Sequence, residues 1–197
     1  MDALEQIVLT ILKHQGYLTL HSYPIDNNKL EPEMIRRKKD KLTRISIVGF
    51  HIQKRELILC EVKAFFDSRG YTMKLFSDSE DRFRKNVPLF FNEAFYRRIQ
   101  EILVEELGLI PEKLNVKRLL CFGNIQIGRR DSYQEYKEAF AKAFAGQRVE
   151  FWGPLELYEE FRKLSRVREE NDVVVYCAKL LRKAKSLEPK YRQRSTA

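Results

Sequence analysis

The residues best suited to chemistry are Glu61 and Lys63, which flank Val62 at the end of the apolar run Leu57-Ile58-Leu59-Cys60. Alternate side chains of a β-strand share a face, so Glu61 and Lys63 point one way and Val62 the other. A carboxylate beside an amine at a strand end can hold a divalent cation and help place and activate a water. Phosphodiester hydrolysis needs that combination. The plainer alternative is an ion pair on a strand end, which contributes little by itself.

The elements that must position the pair follow from periodicity. Leu4, Ile7, Val8, Ile11 and Leu12 recur at helical spacing, so residues 2–15 read as an amphipathic helix ended by Gly16. Residues 17–23 alternate as a strand, and 24–41 read as a polar, basic loop or short helix. Residues 44–53 and 57–64 read as two strands joined by a turn at 53–56, hence an antiparallel pair. Residues 65–86 carry mixed signals. Beyond them the pattern predicts a helix over 89–107 opened by Pro88 and closed by Gly108, then a strand over 116–125. A helix capped by Asp131 or Ser132 runs to 145, and a short strand follows over 149–152. Two more helices end the chain, one opened by Gly153-Pro154 and one capped by Asn171 or Asp172 and running to 185. The expected fold is α/β: a mixed β-sheet flanked by helices, with an early antiparallel meander and a later right-handed crossover. Residues 1–152 would form the core, 153–186 a helical extension packed on it, and 187–197 a basic, flexible tail.

The order helix-strand-strand-strand-helix-strand, with Glu61-Val62-Lys63 closing the third strand, resembles the restriction-endonuclease-like fold of the PD-(D/E)xK nuclease superfamily. The resemblance covers about residues 2–152. It implies that Glu61 and Lys63 are the ExK pair, that Glu61 binds magnesium or manganese, and that Lys63 orients or activates the attacking water. It also implies that Glu5, on the first helix, joins the metal site, although a solvated flank is an equal reading for this residue. One position departs from the family. The second strand reads Ser46-Ile47-Val48-Gly49, with serine where a metal-binding aspartate is expected. A neutral hydroxyl is a poor ligand for a hard cation, so the metal site is incomplete. Asp40 and Asp26 are the nearby acids that could substitute, alongside a larger share for Glu5.

Charge sets the expected partner. The 197 residues carry a net +9, and the excess is concentrated in two blocks, 29–55 and 161–197. That favours a polyanion, DNA or RNA, over a uniformly charged surface kept only for solubility. The candidate contacts are Arg36, Arg37, Lys38, Lys39, Lys41 and Arg44 in the first block, with Lys179, Arg182 and Lys183 in the second. The last helix starts apolar at Val173-Val174-Val175-Tyr176, and with Leu180 and Leu181 it would pack on the sheet or on a second copy, giving a homodimer. Phe65, Phe66, Tyr71, Phe76 and Phe83 interleave with basic residues, a pattern that fits core packing better than base stacking.

Other chemistries find no support. Cys60, Cys121 and Cys177 form no CxxC pair and fit a reducing, cytoplasmic setting without zinc. His14, His21 and His51 are not spaced as a metal set, and neither Ser46 nor Ser68 has a readable histidine partner. Nucleotide-binding glycine loops, a signal peptide and membrane-length apolar runs are not legible, so no membrane partner is expected. The expectation is a nucleic-acid-binding protein, either a magnesium-dependent endonuclease or a catalytically degenerate binding or assembly module. A protein-interaction domain with no nucleic-acid role is the third reading.

Overall fold

The computed structural model describes residues 2–34, 42–64, 70–78, 84–128, 131–168 and 171–194. Helix α1 (Ala3–His14) begins in a capping box, in which the Asp2 side chain accepts from Glu5 N–H and the Glu5 side chain accepts from Asp2 N–H. Strands β1 (Leu18–Asp26), β2 (Leu42–His51) and β3 (Glu56–Lys63) follow as an antiparallel meander. The chain then forms β4 (Tyr71–Thr72), α2 (Lys74–Ser77), α3 (Pro88–Phe91), α4 (Glu93–Glu106), β5 (Asn115–Phe122) and β6 (Ile125–Gln126). It closes with α5 (Tyr133–Ala143), β7 (Val149–Trp152), α6 (Pro154–Leu164) and α7 (Val173–Arg194). The main sheet has the order β1-β2-β3-β5-β7, with β3, β5 and β7 parallel. The fold is therefore α/β with a mixed five-stranded sheet flanked by helices, as the sequence pattern predicts.

Two apolar layers cover the sheet. One joins Leu57, Leu59, Leu120 and Phe122 to α3, α4 and α5; the other joins Ile58, Cys60, Val62, Leu119 and Cys121 to α1, α6 and α7. Residues 57–60 of β3 go alternately to the two layers as one apolar run, because the strand is buried on both faces, and its charged residues stand towards its ends, Glu56 at one and Glu61 and Lys63 at the other.

Several boundaries differ from the sequence reading. β1 runs on through Pro24 to Asp26; it is an edge strand of the described sheet, where a missing N–H need not interrupt a ladder. The helix expected over 89–107 is broken at Asn92, whose Oδ1 accepts from Phe95 N–H and caps α4 afresh. The strand expected over 116–125 stops at Phe122, and Ile125–Gln126 pair in parallel with Tyr71–Thr72 as a second, two-stranded sheet. The final helix continues past Lys185 to Arg194, so residues 187–194 are helical rather than a loose tail, despite the ladder bond that Pro189 cannot make.

The small sheet depends on Gly70, which sits at φ +74° with space for no side chain: a Cβ there would lie 2.5 Å from the Asn124 carbonyl oxygen. Gly70→Ala is expected to destabilise by about 2–4 kcal/mol, from backbone strain plus the clash. Gly146→Ala is the control, because Gly146 has φ +76° but nothing within 4 Å. It should cost only about 1 kcal/mol. Urea unfolding of the two variants separates clash from strain; equal losses would mean Asn124 simply moves aside.

Candidate nucleic-acid and metal site

Glu61 and Lys63 lie on β3 at the C-terminal edge of the parallel strands, on the face covered by α4 and α5. Lys63 Nζ donates to Glu61 Oε1 at 2.5 Å, and the two side chains are 23% and 10% exposed. The parallel register with β5 is regular as far as Lys63 opposite Phe122, and Gly123 N–H donates to Lys63 O at 2.9 Å. The backbone beneath the pair is therefore fixed on the β5 side.

On the β2 side it is fixed differently. The β2–β3 register ends at Ile47 opposite Cys60, and beyond it Val62 N–H donates to Ser46 Oγ at 3.2 Å. The hydroxyl of Ser46 thus takes the place of a ladder carbonyl. The neighbouring β1–β2 pairing is irregular at the same level. His21 pairs with Ile47 and Tyr23 with Ile45, while Ser22 between them has φ +51°. Parity changes there: Ile45 and Val48 enter one core and Ile47 the other, which an unbroken pleat cannot produce. Arg44 bridges the distortion, with Nη1 donating to the carbonyl and the hydroxyl of Ser22 at 3.3 Å each.

Glu5 is placed elsewhere. Its helix covers the opposite face of the sheet from Glu61, and its Oε2 lies 3.0 Å from Nε2 of His21 while also accepting from Asp2 N–H. Sequence reasoning missed His21 as its partner, although the parity of β1 opposite the first helix is the signal that could have found it. Asp26 caps a turn by accepting from Asn28 N–H. Asp40 lies outside the described residues, as do Arg36, Arg37, Lys38, Lys39 and Lys41. Of the second basic block, Lys179 is half-buried, and Arg182 and Lys183 are exposed.

Magnesium or manganese, which the resemblance implies, would meet the Glu61 carboxylate at this position, already bonded to the Lys63 ammonium. Among the described residues no three His, Cys, Asp or Glu side chains gather as a metal-binding group. The described donors alone therefore do not make the multi-carboxylate shell that a hard cation favours. What Glu61 and Lys63 can do as they stand is present a partly buried ammonium, held in place by its carboxylate, to an anionic group at the sheet edge.

At the same edge Tyr133 donates to Glu156, and Lys137 pairs with Glu156 at 2.9 Å. Burial acts to raise the Glu156 carboxyl, but these hydrogen bonds outweigh it and hold the group below the usual carboxylate range. The aromatic cluster expected in the core is there for the described members: Tyr71 and Phe76 are buried, with Phe76 edge-on to Tyr136 and Phe140. Phe65, Phe66 and Phe83 lie outside the described residues. Cys60 and Cys121 are buried thiols 3.7 Å apart, and burial pushes the Cys121 thiol well up. No helix among the described residues is long and apolar enough to cross a membrane.

No family model matches the chain, and no curated protein matches it. A solved crystal structure of a protein of unknown function, AF1548, is similar at 16% identity with a TM-score of 0.37, over 85% of this chain and 71% of that one. A likeness that loose says nothing about activity.

Proposed function

We propose that this chain is a nucleic-acid-binding protein on a scaffold of the PD-(D/E)xK nuclease type, with Glu61 and Lys63 at the centre of its binding edge. The observation that carries the reading is the Lys63–Glu61 pair at the C-terminal edge of the parallel strands, behind an antiparallel hairpin, in a chain of net charge +9. A phosphate approaching that edge meets the Lys63 ammonium, which Glu61 holds in place.

A specific observation separates catalysis from binding. Ser46 stands where an acid would complete a cation site, and its hydroxyl is spent on the Val62 backbone. That favours a binding or assembly module, with magnesium- or manganese-dependent cleavage as the second reading, to be completed by an acid such as Asp40.

Binding is expected to be steeply salt-dependent. If about five phosphates are neutralised on a duplex, log K falls with log salt at a slope of roughly −4 to −5. Removing the residues after Lys185 takes away Lys190, Arg192 and Arg194 and should flatten that slope. Mobility-shift titrations on duplex and single-stranded DNA and RNA at several salt concentrations measure it. No binding at low salt would end the proposal.

A further inference from the structure

Strand β1 leaves one side of its backbone unpaired. It is an edge of the described sheet, bonded to β2 alone. An edge strand is a template for another chain unless something blunts it. Here the blunting devices all lie in the C-terminal half. Ser22 is at φ +51°, Arg44 Nη1 donates to the Ser22 carbonyl, and Pro24 has no N–H. The N-terminal half, Leu18-Thr19-Leu20-His21, has none of these and carries no Lys, Arg, Asp or Glu. Leu18 is 63% exposed and Leu20 45%. Between them, Thr19 Oγ1 is buried with no hydrogen-bond partner among the described residues, a costly state for a hydroxyl. Leu180 and Leu181 of α7, expected to pack on the sheet, are instead 58% and 59% exposed, but no open backbone there specifies an occupant.

We infer that β1 pairs antiparallel with β1 of a second copy across a twofold axis at Thr19, joining the two main sheets edge to edge. An open row of N–H and C=O groups is matched by an extended backbone. The side chains select a second copy and this register. Residues opposite each other in a sheet share a face. Leu20 stands opposite Val48, which belongs to the α4 layer, whereas His21 meets Glu5 of α1 on the other face. An axis at Thr19 therefore sets Leu18 against Leu20 of the other copy, twice by symmetry, and covers the exposed leucines of both. It also sets Thr19 against Thr19, where a χ1 turn lets the two hydroxyls bond across the strands. Moving the axis to Leu18 would bring in Gly16 at φ +93°, and moving it to Leu20 would bring in Ser22 at φ +51°. The charges are complementary as well. Helix α1 runs antiparallel to β1, since Glu5 lies against His21 while Tyr17 N–H donates to Leu12 O. The axis thus brings the Asp2–Glu5 end of one α1 to the side of the exposed Lys13 on the other. The inference does not depend on the nucleic-acid reading.

The full-length protein is expected to sediment as a monomer–dimer equilibrium at hundreds of micromolar, the weak association that a short strand pair allows. Leu18→Lys with Leu20→Lys should weaken it about tenfold or more, because the axis then gathers the ammoniums of both copies. Both leucines are exposed in the single chain, so the near-ultraviolet dichroism spectrum should not change. Disulfide trapping reads the register. In a Cys177→Ala background, which removes the exposed native thiol, Thr19→Cys puts one thiol of each copy on the axis. Diamide should join them as a disulfide, its N=N bond taking up the two thiol hydrogens to give the hydrazine. Leu20→Cys in the same background should join far less, because its two copies stand diagonally, about 7–8 Å apart and beyond disulfide reach. A wild type that stays monomeric at those concentrations overturns the inference. A dimer untouched by the two lysines overturns the surface. A dimer in which Thr19→Cys joins no better than Leu20→Cys overturns the register. These outcomes are independent of any mobility-shift result.

Discussion

Ser46→Asp is expected to raise the affinity for manganese by tenfold or more and to bring cleavage of a labelled DNA or RNA substrate with it. The position is already coupled to the site, because Ser46 Oγ accepts from the N–H of Val62, the residue between Glu61 and Lys63. An aspartate can keep that hydrogen bond with one oxygen and offer the other to a cation shared with Glu61. It supplies the negative charge that a hydroxyl lacks, and charge count is the main determinant of affinity for a hard cation. A metal held by two carboxylates can then polarise a phosphate oxygen and lower the pKa of its bound water. Adding Glu61→Ala to Ser46→Asp should abolish both gains. Calorimetric titration with manganese and a single-turnover cleavage assay read them. If the unaltered chain already binds manganese tightly and cuts, and Ser46→Asp changes neither, then another acid completes the site and Ser46 is a structural residue only.

Arg118→Met should destabilise the fold by about 2–3 kcal/mol, through the loss of one buried side chain away from the site. Arg118 is 4% exposed on β5, with its guanidinium over Tyr96 at 4.0 Å to the ring centre. Nη1 donates to the buried Leu89 carbonyl at 3.1 Å, and Nη2 donates to Gln147 Oε1. Burial pulls the guanidinium below the usual arginine value, against the influence of Tyr96 and Glu93. Losing the arginine leaves the Leu89 carbonyl unpaired, about 1–3 kcal/mol, and removes a desolvated cation–π contact, about 1–2 kcal/mol. Relief of the desolvated charge offsets part of that sum. Arg118→Lys keeps the charge but not the planar fork, so it should recover less than half of the loss. The check is a shift in the urea midpoint at constant slope. A loss below about 0.5 kcal/mol would mean that burying the charge costs as much as its contacts return.

These two residues show where local pattern stops being informative. Arg118 reads in sequence as an ordinary strand cation. Its burial follows from α3 and α4 lying across β5, and those helices are separate because Asn92 caps the second one afresh. Ser46 reads as a missing acid, and the sequence does not reveal that its oxygen replaces a ladder carbonyl. That role depends on where β2 and β3 part, which is set by the paired irregularity at Ser22 and Ser46 between two strands.

The sequence by itself determined the features whose causes are local. The apolar stripe and the Asp2–Glu5 capping box make α1; the turn before Glu56 pairs β2 with β3 antiparallel; unbroken alternation puts Glu61 and Lys63 together on one face. Side-chain period and turn chemistry act over a few residues and are legible without knowing what lies beside them. Tertiary structure alone decided which layer each element joins. Glu5 sits on the helix covering the face opposite Glu61 and takes His21 as its partner, and α7 turns three small and branched residues inward while Leu180 and Leu181 stay in water. Periodicity gives a helix its faces, but whether a face is covered depends on neighbours distant in sequence, so no window along the chain contains that information.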